Sequence, residues 1–253
     1  MKIIVSPAKK MRDQEDFFEW DQLPVFVDQA REIKDYLNEL SYEQLKELWQ
    51  CNDKIARLNY QRLQNMDLRQ GLVPALLAYE GLQYQYMAPQ VFDTDQWAYV
   101  KEHLVILSGF YGCLRPTDGV VPYRLEMGAK PRRPLKGHKN LYQYWGRRIY
   151  EELISGGSTI VNLASKEYSK AIEKYLEPAD RMITCVFGTE IDGRVKVKAT
   201  EAKMARGEMV RYLAEHQITD PTLMKGFSSL DYCFSAQHSS SDRYVFLKRK
   251  GCY

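Results

Sequence analysis

Apolar residues along this chain follow two rhythms, and the switches between them outline its elements. KIIV at Lys2–Val5 is a β-branched run that stops at the Ser6-Pro7 turn signal, which predicts a short strand. Val27, Ala30, Ile33, Leu37 and Leu40 recur at helical spacing behind Pro24, a residue that a first helical turn tolerates. Ser41 with Gln44 three residues on predicts a capping-box start for SYEQLKELWQ, and a second helix follows from Asp53 to Asn65. Asp93 can cap a helix reaching Glu102, after which HLVILSG reads as a buried strand. Asn140 can cap one continuous helix through LYQYWGRRIYEELI, stopped by Gly156-Gly157.

The second half is plainer. STIVNLAS predicts a buried strand and KEYSKAIEKYL a helix that ends before Pro178. RMITCVFGTE and RVKVKAT flank Asp192-Gly193 as the arms of a hairpin. A helix from Glu201 to Gln217 comes next, and YCFSAQ and RYVFLKR read as two closing strands. Strands and helices mix without a steady βα rhythm. The expected fold is therefore a single compact domain over residues 1–253, of α+β or mixed α/β class rather than a doubly wound sheet. Gly128–Lys139, the longest stretch without periodicity, is a candidate lid or binding loop.

Composition narrows the class without naming a function. Hydrophobic content of 45% and charged content of 27% describe an ordinary globular protein. The apolar run before Ser6 is too short for a signal-peptide core and nothing approaches a membrane span, so a cytoplasmic location and no membrane partner are expected. Cys51, Cys113, Cys185, Cys233 and Cys252 are dispersed, without CxxC, which argues against a disulfide framework and a zinc site. They read as buried small apolar side chains, with a lone redox-sensing thiol as the alternative. No P-loop, dinucleotide, HExxH or GxSxG pattern is present, so no cofactor and no metal centre are predicted.

The net charge of +3 is small but unevenly spread. Lys130, Arg132, Arg133, Lys136, Lys139, Arg147 and Arg148 follow one another with no carboxylate between them, while Asp13 to Asp21 is acidic. In YRLE, an extended backbone puts Arg124 and Glu126 on one face. Two readings fit: a cleft in which Arg124 holds an anion while Glu126 moves a proton, or a partly buried ion pair with no chemistry. In EAKMARGEMVRYLAEHQ, Lys203, Arg206, Gly207 and Val210 share a stripe. A mid-helix glycine costs roughly 1 kcal/mol against alanine, so Gly207 either lets a ligand or another backbone approach between two cations or serves ordinary packing. Ser165 and Asn162 stand where a buried strand turns into a helix start that can hold an anion, or simply cap that turn. Lys9 follows the first strand in SPAKK, where a loop at a strand's end faces a ligand crevice; a solvated lysine is the plain alternative.

Six segments in series complete the reading. SPAK at Ser6–Lys9, LSGFYGCLRP at Leu107–Pro116, PYRLEMG at Pro122–Gly128, LYQYWG at Leu141–Gly146, NLAS with EY at Asn162–Tyr168, and AKMARG at Ala202–Gly207 resemble the YaaA family of bacterial peroxide-stress proteins, end to end and in order. The resemblance implies a role in limiting free iron and iron-driven oxidation of DNA during hydrogen peroxide stress. It also implies a compact α/β body of no common superfold with a deep positive cleft, a helix-hairpin-helix element, and DNA binding without an agreed reaction. Carried over by position, YEQLKELWQCNDKIARLNYQRL is the leading candidate helix-hairpin-helix, with Asn52, Asp53 and Lys54 offered to a phosphate backbone; Cys51-Asn52-Asp53 replaces the glycine-containing turn usual there, and GFYG at Gly109–Gly112 is the other, glycine-bearing candidate.

The leading expectation is a DNA-binding stress protein whose cleft is lined by Lys9, Arg115, Arg124, Lys203 and Arg206, with Lys130 to Lys139 as a mobile rim. Such contacts predict strong salt dependence and little sequence preference, for duplex DNA or DNA with unpaired bases. Tyr142, Tyr144 and Trp145 either stack on such bases or belong to the core. The rival expectation is an enzyme acting on a small anionic or nucleotide-like substrate, with Glu126 and Lys9 as catalytic candidates. Direct iron sequestration has the least support, since clustered carboxylate and histidine ligands are missing outside the acidic loop.

Overall fold

The structure, a computed structural model, describes residues 1–13, 18–154 and 159–249. An eight-stranded sheet forms its centre. The strands are β1 (Lys2–Val5), β2 (Leu104–Ser108), β3 (Gly112–Leu114), β4 (Ile160–Asn162), β5 (Met182–Ile191), β6 (Arg194–Lys196), β7 (Tyr232–Phe234) and β8 (Arg243–Lys248). They lie in the order β7-β8-β5-β4-β1-β2-β3, with β6 paired to the outer half of β5. Strands β2, β1, β4, β5 and β8 are parallel, with Ile4 opposite Val105 on one side and Asn162 on the other. Antiparallel β3 and β7 close the two edges.

Numbered along the chain, the five parallel strands run 2-1-3-4-5, the strand order of one kind of doubly wound sheet. The class is mixed α/β as expected, but the expectation against a doubly wound order is corrected. The rhythm is hidden because the first crossover takes in everything from Ser6 to His103, and because antiparallel strands interrupt the later ones. Ile3 and Ile4 are both fully buried. Successive strand residues face opposite sides, so both faces of the sheet are covered.

Nine principal helices among the described residues provide that cover and the flanks: α1 (Val27–Asn38), α2 (Tyr42–Trp49), α3 (Asp53–Gln64), α4 (Leu82–Met87), α5 (Thr94–His103), α6 (Leu141–Trp145), α7 (Arg148–Ile154), α8 (Lys166–Glu173) and α9 (Ala199–Glu215). Helix α5 packs on β1 and β2, α9 on β5, and α9 also lies along α4 and α5; α7 packs on β3 and α8. No helix among the described residues is long and apolar enough to cross a membrane.

Local chemistry explains most boundaries. Ser41 and Gln44 form the expected reciprocal capping box, and Asp93 forms another with Gln96. Asp192 and Gly193 both take positive φ, 52° and 71°, at the turn between β5 and β6, as a tight hairpin requires. The helix expected from Asn140 to Ile154 is instead two. Gly146 takes φ 54° and ψ −133°, which ends α6 after Trp145 and starts α7 in a new direction. The Gly156-Gly157 stop and Cys252 lie outside the described residues.

Gly207 is where α9 meets α4. A Cβ at this position would sit 2.1 Å from the Gln83 carbonyl oxygen and 2.9 Å from the Met87 nitrogen. Of the two approaches considered for Gly207, a backbone occupies the space and a ligand does not. Gly207→Ala is accordingly expected to lower unfolding free energy by about 1–3 kcal/mol or more, because the helix pair must separate to admit the methyl group. Urea unfolding of variant and parent measures the difference, and an unchanged midpoint would contradict this close packing.

Candidate functional site

The order of the parallel strands reverses between β1 and β4, and in sheets of this kind the crevice outside the carboxyl ends at such a point is the usual ligand site. Here the two departing chains are stitched together. The Ser6 Oγ accepts a hydrogen bond from the Ser165 backbone nitrogen at 2.8 Å and donates to Ser165 Oγ at 3.2 Å. Tyr84 of α4 donates its hydroxyl to the Ser6 carbonyl at 3.0 Å. Above this seam lies a pocket of about 510 Å³, walled by the Ser6–Lys10 loop, the start of α4, the Tyr123–Glu126 segment, the start of α8 and the Lys203–Arg206 turn of α9.

Five cations and three carboxylates line it. Glu80 pairs with Lys10 at 2.5 Å and with Arg12 at 3.0 Å, and Lys10 is the main reason its carboxyl is held below the usual range. Glu126 Oε1 lies 2.9 Å from Arg124 Nε and 3.3 Å from Lys9 Nζ. Arg124 and Glu126 are 9% and 16% exposed, and their contact is an ion pair without the alignment of a hydrogen bond. Arg124 Nη2 also donates to the Trp49 carbonyl at 3.4 Å, at the end of α2 where the helix dipole favours a cation. Glu167 accepts from the Gly128 nitrogen at 2.9 Å. Lys203 and Arg206 have no carboxylate partner among the described residues. The Arg206 Nε is buried without an acceptor, and burial pulls its pKa below the ordinary value.

Beneath the charges is a neutral polar wall. The Tyr123 hydroxyl lies 2.6 Å from Ser108 Oγ and 2.8 Å from the Tyr79 hydroxyl, and burial pushes Tyr123 up to about 12. Ser108 Oγ accepts from the Phe110 and Tyr111 nitrogens, so its own proton goes to Tyr123. The pocket therefore has one ion-paired part, where Lys9 and Arg124 share the single carboxylate of Glu126, and one cationic part on α9 that has no carboxylate partner among the described residues.

Much of this pocket's wall comes from the SPAK, PYRLEMG, EY and AKMARG segments, and comparison with known proteins finds the family those segments resemble. A family model described as "Peroxide stress protein YaaA" matches residues 1–238. The chain belongs to that family. It is also similar to curated UPF0246 proteins: 50% identical over 250 residues to one from Pediococcus pentosaceus, covering 99% of each chain. One from Agathobacter rectalis is 51% identical over 249 residues, covering 98% of this chain and 99% of its own. One from Desulfitobacterium hafniense is 52% identical over 248 residues, covering 98% of each.

In this YaaA-family chain, Lys9, Arg124, Glu126, Ser165, Lys203 and Arg206 converge on the pocket, and the other residues singled out do not. Arg115 is carried to the opposite end of the sheet because β3 runs antiparallel to β2, back toward the amino ends of the strands. There it pairs with Glu152 at 3.2 Å and shares a separate hollow with Lys2, Leu104 and Asp118. Asn162 is buried in the sheet, donating to Thr184 Oγ1 and accepting from the Ala164 nitrogen; it holds the turn and does not reach the pocket. Lys54 is exposed on the first turn of α3, away from the pocket walls.

Helices α2 and α3 pack against each other, and the side chains at their junction are engaged internally. Asn52 caps α3, and Asp53 is held well below the usual carboxylate range, chiefly by Arg57, with Tyr42 and Lys46 also bonded to it. In the basic loop, Arg132 pairs with Glu47 and Arg133 with Glu39, which ties the loop to α1 and α2. Tyr144 and Trp145 are core residues, and the Tyr142 hydroxyl donates to the Glu167 carbonyl. Burial raises the thiols of Cys51, Cys113 and Cys185, disfavouring the reactive thiolate. No group of three or more metal-ligating side chains occurs among the described residues. Glu80, Gln83 and Tyr84 carry no signal in the sequence, because nothing periodic marks the two-residue strand Tyr79–Glu80 or the short helix α4 that follows it.

The two halves of the pocket should respond oppositely to loss of charge. Glu126→Gln is expected to cost about 1–3 kcal/mol, since it strips the counter-ion from the nearly buried Arg124. Arg206→Met, which removes a buried charge that has no partner, is expected to leave stability unchanged or raise it by about 1 kcal/mol. Denaturant unfolding of both variants tests the pair of signs; a clear loss in Arg206→Met would mean that this guanidinium is compensated after all.

Proposed function

We propose that this peroxide stress protein acts in the cytoplasm by binding DNA at the pocket between β1 and β4, largely without regard to sequence, and that this contact limits iron-driven oxidative damage. The observation that carries the reading is Arg206 on α9, half-buried with its Nε wholly buried, which has no carboxylate partner among the described residues and stands one helical turn from the exposed Lys203, which has none among them either. Two neighbouring cations without counter-ions form a site for an anionic oxygen cluster, and phosphate is the form in which DNA presents one. Lys9 and Arg124 stand across the same pocket, held to Glu126.

The second reading, an enzyme acting on a small anionic or nucleotide-like substrate, is favoured by the placement of Glu126 between two cations in a walled pocket. A pure binder should tolerate Glu126→Gln, or bind more tightly through reduced repulsion. An enzyme should retain ligand and lose turnover in that variant.

Salt dependence tests the DNA reading. With Arg115 at the far end of the sheet and Lys9, Lys10 and Arg124 ion-paired, Lys203 and Arg206 are the two pocket cations that have no carboxylate partner among the described residues, fewer than the strong dependence expected from sequence requires. Two phosphate contacts correspond to a slope of log K against log salt of about −1.4 to −1.8. Fluorescence anisotropy with duplex and bubble DNA across a salt series should give a slope in that range, flattened in Lys203→Ala/Arg206→Ala. Absence of binding at low salt, or binding indifferent to the double substitution, would overturn it.

A further inference from the structure

The pocket's charge is divided in a way that specifies more than an anion. Lys9, Arg124 and Glu126 form one cluster in which a carboxylate already lies within ion-pair distance of both cations. Lys203 and Arg206 form the other, with no carboxylate partner among the described residues. Gln83 belongs with this second cluster. It is 6% exposed, it lines the pocket, and its Nε2 has no acceptor in the protein. Arg206 Nε shares that condition. The contact at Gly207 brings α4 and α9 together beside these two side chains, so unfilled donors from two helices gather in one corner.

Donors without acceptors, in a site with two uncompensated positive charges, fit an oxyanion that carries two negative charges. Lys203 and Arg206 stand three apart on a helix, about 5–6 Å between their Cβ atoms, which converges them on one group and does not space them along a strand. An internal DNA phosphate is a diester with a single charge and chain leaving on both sides. A phosphate monoester carries about −1.5 to −2 at neutral pH and has chain on one side only. Arg115 and Lys54, which a strand running past would need as further contacts, lie elsewhere.

Resting on the DNA reading above, we infer that the Gln83–Lys203–Arg206 corner is a subsite for a phosphate monoester: the phosphorylated end of a DNA strand, or the same group on a free nucleotide. The ion-paired Lys9–Glu126–Arg124 part and the Tyr123 and Tyr168 walls then face the attached nucleoside. Because Arg206 has no partner to orphan, its replacement removes affinity without unfolding the protein.

The test uses the full chain and one hairpin oligonucleotide, labelled in its loop, with its terminus left as a hydroxyl, 5′-phosphorylated or 3′-phosphorylated. Unlabelled nucleoside monophosphate and the parent nucleoside serve as competitors. A phosphorylated end should bind about ten- to a hundredfold more tightly than a hydroxyl end, the worth of one or two charge-assisted contacts. The gap should close in Arg206→Met and in Lys203→Ala, and narrow only partly in Arg206→Lys. Equal binding of hydroxyl and phosphate ends would overturn the subsite while leaving DNA binding intact. Binding of the monophosphate but of no oligonucleotide would keep the subsite and discard DNA as its source. If neither binds, both fall.

Discussion

Strand β1 is held on both sides by partners that come much later in the chain, β2 from Leu104 and β4 from Ile160, and the candidate pocket depends on this pairing. Closing such long loops costs entropy, although slowly with length, and the return is a strand whose Ile3, Ile4 and Val5 are removed from water entirely. Once β1 is fixed between β2 and β4, the chain beyond Val5 and the chain beyond Asn162 must leave the sheet side by side. The Ser6 to Ser165 bonds close the floor between them, and the crevice above is what remains. A one-residue slip of β1 would exchange the two buried faces and remove Ser6 from that seam.

The second support is the close contact of α4 and α9 across Gly207. It brings Arg206 down beside Gln83, in surroundings that offer the guanidinium no carboxylate. A protein selected for stability alone would neutralise or replace such a charge, since an unpaired buried ion costs more than it contributes. Its position beside an open pocket is the kind of local sacrifice that functional sites make. The contrast with Arg124, paired to Glu126 and bonded to the Trp49 carbonyl, separates the cation that holds the pocket wall together from the cation left open for an incoming group.

Charge count alone misleads for this fold. The longest basic run, Lys130 to Lys139, is tied by Arg132 and Arg133 to glutamates on α1 and α2, so part of its charge is spent within the protein. Solvated ion pairs of this kind contribute little to stability, yet they remove cations from any phosphate-binding surface. The two pocket cations that have no carboxylate partner among the described residues, Lys203 and Arg206, lie on a helix whose glutamates match its cations in number.

Much of the chain was legible locally. The capping boxes at Ser41 and Asp93, the hairpin turn at Asp192-Gly193 and the strand at Lys2–Val5 follow from interactions among residues a few positions apart, which sequence displays directly. The pairing of Arg124 with Glu126 was legible as spacing, although the segment is irregular and not a strand. Family membership was legible because six short segments keep their order. The helix break at Gly146 was missed since a glycine inside a periodic run can either continue it or end it. Only the tertiary structure decided the strand order, the exile of Arg115 to the other end of the sheet, the burial of Asn162, and the partner that Gly207 admits. Each of these depends on which distant segment lies alongside, and burial and charge compensation are set by those neighbours and not by the residues that adjoin in sequence.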